Sequence, residues 1–220
     1  MSGKKIISEF IDMWDRPDGE LGNGWIDPYY EHPLWWDQVK LVNNKPLTPN
    51  PDHGKILQTD CSGARAAFYR DFGAGYDKNI AASVVWCGVR PLESTPLIHV
   101  NPDDDDFGIG AWPVAEFRGF LIAGVGRSPD KFNVYEYQPF AHEDKTPIRI
   151  ELRSTGEEFT VWISETDADN PSMIQVGNTY PIPKGLIGST VHGAAIDLNQ
   201  DPKRPPNTPT IIAPYRLYRF

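Results

Sequence analysis

The chain has 220 residues, among them 19 glycines and 21 prolines. That density excludes a mainly helical protein, because proline removes a backbone donor and glycine loses entropy inside an element. Its 40% hydrophobic and 12% aromatic content supports a packed core, which excludes wholesale disorder, while a net charge of −9 leaves no cationic footprint for a nucleic acid or an anionic membrane surface.

The first segment, Lys5–Trp14, is ambiguous. Ile6, Ile7, Phe10, Ile11 and Trp14 fit a helical period of 3.6, yet Ile-Ile and Phe-Ile pairs also suit a strand. Pro28–His53 reads as a long loop because Pro33, Pro46, Pro49 and Pro51 interrupt polar residues. Ala64–Tyr69 is a weak strand, and Ile80–Val89 is a near-continuous apolar run expected to be buried on both faces. Pro91–Asp106, with its prolines and acidic run, reads as a second long loop. Phe120–Val125 and Phe132–Tyr137 are two strands separated by a Gly-Arg-Ser-Pro-Asp turn.

The clearest element follows. Ile148, Ile150 and Leu152 alternate with Arg149, Glu151 and Arg153, and Phe159, Val161 and Ile163 alternate with Thr160, Trp162 and Ser164. Period 2 on both sides of Ser154-Thr155-Gly156 predicts an antiparallel hairpin, with Trp162 on the face opposite the apolar set. Asn199–Pro209 is a third loop, and Ile211–Phe220 alternates to close the chain. Short strands and turn clusters throughout predict one all-β domain over residues 1–220. Its expected form is a two-sheet antiparallel sandwich with little helix, in which Ile6–Phe10 lies beside Arg216–Phe220.

At Asp15–Trp25 the sequence reads DRPDGELGNGW, which resembles the opening signature of concanavalin A-like jelly-roll domains in tail proteins of tailed phages. Lys55–Leu57, Ala64–Phe68, the hairpin at Ile148–Ile163 and the IPKGLIG step at Ile182–Gly188 fit the same template. The chain is similar to minor tail proteins of phages infecting actinobacteria. That resemblance implies a non-enzymatic virion component of the tail tip or fibre, made in the host cytoplasm. It would contribute to tail assembly, to recognition of a host surface glycan, or to both. Its partners would be other tail proteins and further copies of itself, with no nucleic acid and no membrane insertion. The long loops and the Ser-Glu-Thr-Asp-Ala-Asp run after Ile163 depart from the template. A glycoside hydrolase of the same fold and a free lectin-like protein are the alternatives.

Chemistry narrows the alternatives. A retaining glycosidase needs two carboxylates about 5 Å apart, and no E-x-D-x-x-E string supplies them. Glu151 stands alone between two arginines, and Glu165, Asp167 and Asp169 run toward Asn170-Pro171 as a loop. No catalytic residue is therefore assigned. G-x-S-x-G, HExxH and P-loop patterns are absent. His32, His53, His99, His142 and His192 are scattered and read as isolated residues. No cofactor is expected. Asp103, Asp104, Asp105 and Asp106 are the metal candidates, and calcium is the ion such oxygens suit, although a hydrated acidic loop is the plainer reading. Tyr29, Tyr30, Trp35 and Trp36 are the ligand-binding candidates, since aromatic faces stack on sugars; capping the core or filling a subunit interface is the plainer reading. Cys61 and Cys87 are expected as reduced thiols, and the opening MSGKKIISEF shows no secretory leader.

Overall fold

The computed structural model describes residues 5–14, 16–17, 19–28, 39–42, 56–59, 65–87, 92–104, 106–114, 119–126, 132–139, 147–165, 172–198, 210–211 and 214–220. Within them the chain forms β1 (Ser8–Asp12), β2 (Val39–Val42), β3 (Ile56–Thr59), β4 (Arg65–Asp71), β5 (Ile80–Cys87), β6 (Leu92–Leu97), β7 (Asp106–Val114) and β8 (Gly119–Gly126). It continues through β9 (Phe132–Pro139), β10 (Pro147–Ser154), β11 (Glu158–Ser164), β12 (Ile174–Pro181), β13 (Val191–Leu198), β14 (Thr210–Ile211) and β15 (Tyr215–Arg219). A 3₁₀ turn lies at Lys184–Leu186.

One layer is a six-stranded antiparallel sheet in the order β1-β15-β5-β10-β11-β12. The other joins β4-β13-β6 to β7-β8-β9 through an Ile98–Ile109 bridge with backbone bonds of 3.1 Å in both directions. A small sheet, β14-β3-β2, completes the set. The expected hairpin is β10–β11, and the chain ends pair from Ser8–Arg219 to Asp12–Tyr215. Lys5–Trp14 therefore contributes a strand, its isoleucines β-prone and its neighbour β15 supplying the ladder.

Two of the expected loops are partly strand. Pro28–His53 contains β2, and Pro91–Asp106 contains β6. Prolines and polar residues disguised β6, whose Ser94 and Thr95 are fully buried. Thr95 Oγ1 accepts the Ala111 N–H at 2.7 Å, so a side chain takes a place in the ladder where a strand carbonyl ordinarily stands. Asn199–Pro209 lies outside the described residues.

Period 2 explains the core. Ile148, Ile150, Leu152, Phe159, Val161 and Ile163 point inward from the hairpin and meet Phe68, Ala111, Ile122 and Ala194 of the opposite layer. Each such buried aliphatic or aromatic side chain contributes about 1.5–3 kcal/mol relative to exposure. Alternation on the second layer sends Ala67, Tyr69, Trp112, Val125 and Ala195 into a separate cluster on its other face.

The DRPDGELGNGW segment has a structural cause. Gly22, Asn23 and Gly24 take φ of 59°, 50° and 73°, left-handed values that glycine and asparagine reach with least strain. The turn returns Asn23 and Trp25 to the Asp12 carboxylate, which is 3% exposed. Asp12 accepts from Trp14 N (2.9 Å), Arg16 Nη1 (2.7 Å), Arg16 Nη2 (3.1 Å), Asn23 Nδ2 (3.0 Å) and Trp25 Nε1 (2.7 Å). Arg16 Nε closes the loop on Leu21 O at 2.5 Å. Burial pushes the Asp12 carboxyl up, but the donors from Arg16, Asn23, Trp25 and the Trp14 backbone together outweigh it and hold it below its ordinary value. Trp25 then packs against Phe68 and Tyr215, with centroids 5.1 and 4.9 Å away, which ties the signature to both layers.

Candidate functional site

The face of the six-stranded sheet opposite the core carries polar chemistry. The register aligns Trp162, Glu151, Ser83 and Arg216 across β11, β10, β5 and β15. Ala81 and Ser83 keep the middle of this face low, and both are fully buried. Ser83 Oγ has no partner among the described residues. Glu151 is 5% exposed and Arg149 2%.

Glu151 organises the row. Its Oε1 accepts from Arg153 Nε at 2.6 Å and from the Tyr218 hydroxyl at 2.9 Å. Burial, then the Glu151 charge, push the Tyr218 phenol well up, so it stays a protonated donor. The Arg153 guanidinium sits 4.1 Å from the Trp162 ring centroid, and Trp162 Nε1 donates to Thr160 Oγ1 at 2.9 Å. Further along, Arg216 Nε lies 2.6 Å from Glu9 Oε1. Glu9 and Glu151 stand on strands three apart in the sheet, with backbones about 14 Å apart at roughly 4.8 Å per strand.

The structure places the sequence candidates unevenly. Tyr29, Tyr30, Trp35 and Trp36 lie outside the described residues, as do Asp105, Asp167, Asp169 and Cys61. Asp103 and Asp104 fall in the turn before β7, and Asp106 begins that strand. The Asn101 side chain holds the turn by accepting from Asp103 N at 3.2 Å and donating to Gly185 O at 3.1 Å. Among the described residues no three His, Cys, Asp or Glu side chains gather as a metal site would need. Glu165 is exposed just after β11.

Glu151 has a partner that its place in the sequence does not announce, Tyr218, which arrives from β15, two strands away and far along the chain. One reading is corrected: His99 and His192 are not isolated residues. Both are fully buried, with ring centroids 5.4 Å apart. His192 Nδ1 accepts the His99 backbone N–H at 3.1 Å, so its Nε2 carries the proton and donates to Tyr76 O at 2.8 Å. His99 Nδ1 donates to Ser189 O at 3.2 Å, and its Nε2 accepts from Ser154 Oγ at 2.7 Å. Burial lowers His99 to about 4 and, with the neighbouring His99, lowers His192 to about 3. Both rings are neutral struts between the layers.

A cleft of about 320 Å³ lies beside the signature loop, lined by Glu20, Leu21, Gly22, Trp25, Asp27 and Val39. At the margin shared by β9 and β12, Glu136 accepts from Tyr180, Asn178 and Gln138. Those donors lower its carboxyl, Tyr180 contributing most. Burial, then Glu136, raise the Tyr180 phenol to about 12. This cluster satisfies itself.

No protein-family model and no curated protein matches the sequence. Solved structures match in fold. Carbohydrate binding module CBM66 from Bacillus subtilis superposes with a TM-score of 0.51 at 8% identity, covering 89% of this chain and 92% of that one. Lectin II from Ulex europaeus gives 0.52 at 10% identity, over 98% and 100%. The xylan beta-1,4-xylosidase from Bacillus halodurans C-125 gives 0.56 at 12% identity over 95% of this chain, which spans 39% of that enzyme. The architecture is thus a two-sheet antiparallel jelly roll, a fold also found in this carbohydrate-binding module, this lectin and part of this xylosidase. Among the described residues no helix is long and apolar enough to cross a membrane.

Proposed function

We propose that this protein is a non-enzymatic, glycan-binding jelly-roll subunit of a phage tail that meets the host cell surface through the outer face of its six-stranded sheet. The observation that carries the reading is the row built around Glu151. It combines an aromatic ring, a guanidinium and a phenol across β11, β10 and β15, which is the mixture of stacking surface and oriented polar groups that a sugar requires. The fold shared with a lectin and a carbohydrate-binding module supports it. The lack of an E-x-D-x-x-E string in the sequence supports binding without hydrolysis. The phage setting, with a virion location, neighbouring tail proteins and self-association, rests on the DRPDGELGNGW resemblance. In that setting Tyr29, Tyr30, Trp35 and Trp36 supply contacts to a neighbouring subunit or to the same glycan.

The test is a panel of bacterial cell-surface glycans presented to the purified protein and to Trp162→Ala. Binding by the wild type, lost in the folded variant, is the expected result, with no reducing sugar released. Release of reducing sugar that disappears in Glu151→Gln reverses the non-enzymatic reading in favour of a hydrolase of this fold. Antibody labelling of intact virions, with the tail as the labelled part, tests the setting.

A further inference from the structure

We infer that the outer face of the six-stranded sheet selects an acidic glycan, with the guanidinium edge of Arg153 clamping a carboxylate or phosphate group of the sugar chain. The inference rests on the glycan-binding reading above and names the ligand's charge class.

Arg153 is fixed on two sides. Its Nε donates to Glu151 Oε1 at 2.6 Å, and its plane lies over Trp162 at 4.1 Å. Both supports are themselves held, Glu151 by the Tyr218 hydroxyl and Trp162 by Thr160 Oγ1. A guanidinium carries five N–H donors, and the Glu151 contact uses one. The two Nη groups pair with no carboxylate among the described residues, and the side chain is 31% exposed. What remains is a partly exposed planar fork with the Tyr218 hydroxyl beside it, the shape that engages carboxylate or phosphate oxygens two at a time. Because the fork is already oriented, an anion that meets it costs little side-chain entropy.

In a chain with a net charge of −9, the described outward positions of this sheet are balanced, with Arg149, Arg153 and Arg216 alongside Glu9, Glu151 and Glu158, so the face carries no excess of negative charge to repel an anion. A neutral sugar would engage the Trp162 ring and leave the fork on water; an acidic one uses both.

The probes are an oligogalacturonate, its carboxyl-reduced neutral counterpart and a polyglycerol phosphate, titrated against wild type, Arg153→Gln and Arg153→Lys. Wild type is expected to bind one or both acidic probes at least tenfold more tightly than the neutral one, the stronger acidic arm deciding between carboxylate and phosphate. Arg153→Gln removes that preference, bringing the ratio of acidic to neutral binding to about one whatever its effect on binding overall. Arg153→Lys, which keeps the charge and loses the fork, retains part of it. Raising the salt from about 0.05 to about 0.5 M shrinks the preference in wild type itself, a readout that needs no variant. Equal binding of acidic and neutral probes, or a preference that survives in folded Arg153→Gln, overturns the inference and leaves glycan binding standing. Failure to bind any glycan, neutral or acidic, overturns both.

Discussion

Asp12 and Glu151 are both buried carboxylates held by an arginine, and they differ in what their arginines leave over. Asp12 receives both Nη groups of Arg16, while Arg16 Nε is spent on Leu21 O, and Asn23 and Trp25 fill the remaining acceptor positions. Every donor comes from one short stretch of chain, so the cluster closes on itself. Glu151 takes Arg153 by Nε alone, and its second donor, Tyr218, comes from a distant strand. The same pair of residue types is a fastening in one place and an open fork in the other. The first cluster is exhausted by its own contacts, while the second leaves the Arg153 Nη groups without a carboxylate among the described residues.

The largest expected effect breaks the closed cluster. Asp12→Ala strands Arg16, Asn23 and the Trp25 indole together, and removing one partner of a buried pair costs about 3–5 kcal/mol. Arg16 retains some solvent contact, so about 3 kcal/mol is expected, read as a lower urea midpoint with an unchanged slope. Glycan binding by the fraction that remains folded should be unaltered. A loss below about 1 kcal/mol would show that the signature is not the fastening its geometry describes.

Acid separates the fold's titrating groups by window. His99 and His192 titrate below their ordinary 6.5 when folded, so the unfolded chain binds protons first as the pH falls. Stability therefore declines from about pH 6.5 toward about 4 and 3, by at most about 1.4 kcal/mol per pH unit for each ring. Asp12 behaves in the complementary way. Its folded carboxyl is lowered from 3.8, so its contribution is complete above that value and is lost only as the pH falls further. His192→Gln should flatten the slope between pH 6.5 and 4.5 in chemical denaturation. An unchanged slope would mean that the rings are not neutral struts.

On the open side, Trp162→Ala removes the platform under Arg153. The ring is half-buried, so the stability cost should be about 1–2 kcal/mol, below the 3–5 kcal/mol of a fully buried tryptophan. Glycan affinity should fall about tenfold or more. An equal fall in Asp12→Ala, corrected for unfolding, would erase the distinction between the two clusters.

The comparison also marks how far the sequence could be read. The β10–β11 hairpin was legible because period 2 is local, and the β1–β15 pairing was legible because a sandwich brings its end strands together. β6 was not, since Pro96 and two buried hydroxyl residues imitate a loop until β13 and β7 flank them. Trp162 was rightly placed on the face away from the core. Its neighbours were only half visible: Arg153 and Glu151 sit in the same strand, but Tyr218 and Ser83 join them through β15 and β5. The histidine pair was invisible for the same reason, because nothing in the spacing of residues 99 and 192 announces contact.

The smallest expected effect concerns calcium. Asp103, Asp104 and Asp106 are the described members of the acidic run, and the turn that carries the first two is already held by Asn101, through Asp103 N and Gly185 O. Calcium takes six to eight oxygens, commonly from several carboxylates converging on one point. Consecutive carboxylates diverge instead, and among the described residues no third acid or histidine closes on them. Transfer from millimolar calcium to excess EDTA should therefore move the thermal midpoint by no more than about 1 °C, less than the roughly 2–4 °C that 1 kcal/mol shifts a chain of this size. A larger drop, restored by calcium and absent in Asp104→Asn, would show that this turn gains its order from a bound ion and would move it from the closed class to the open one.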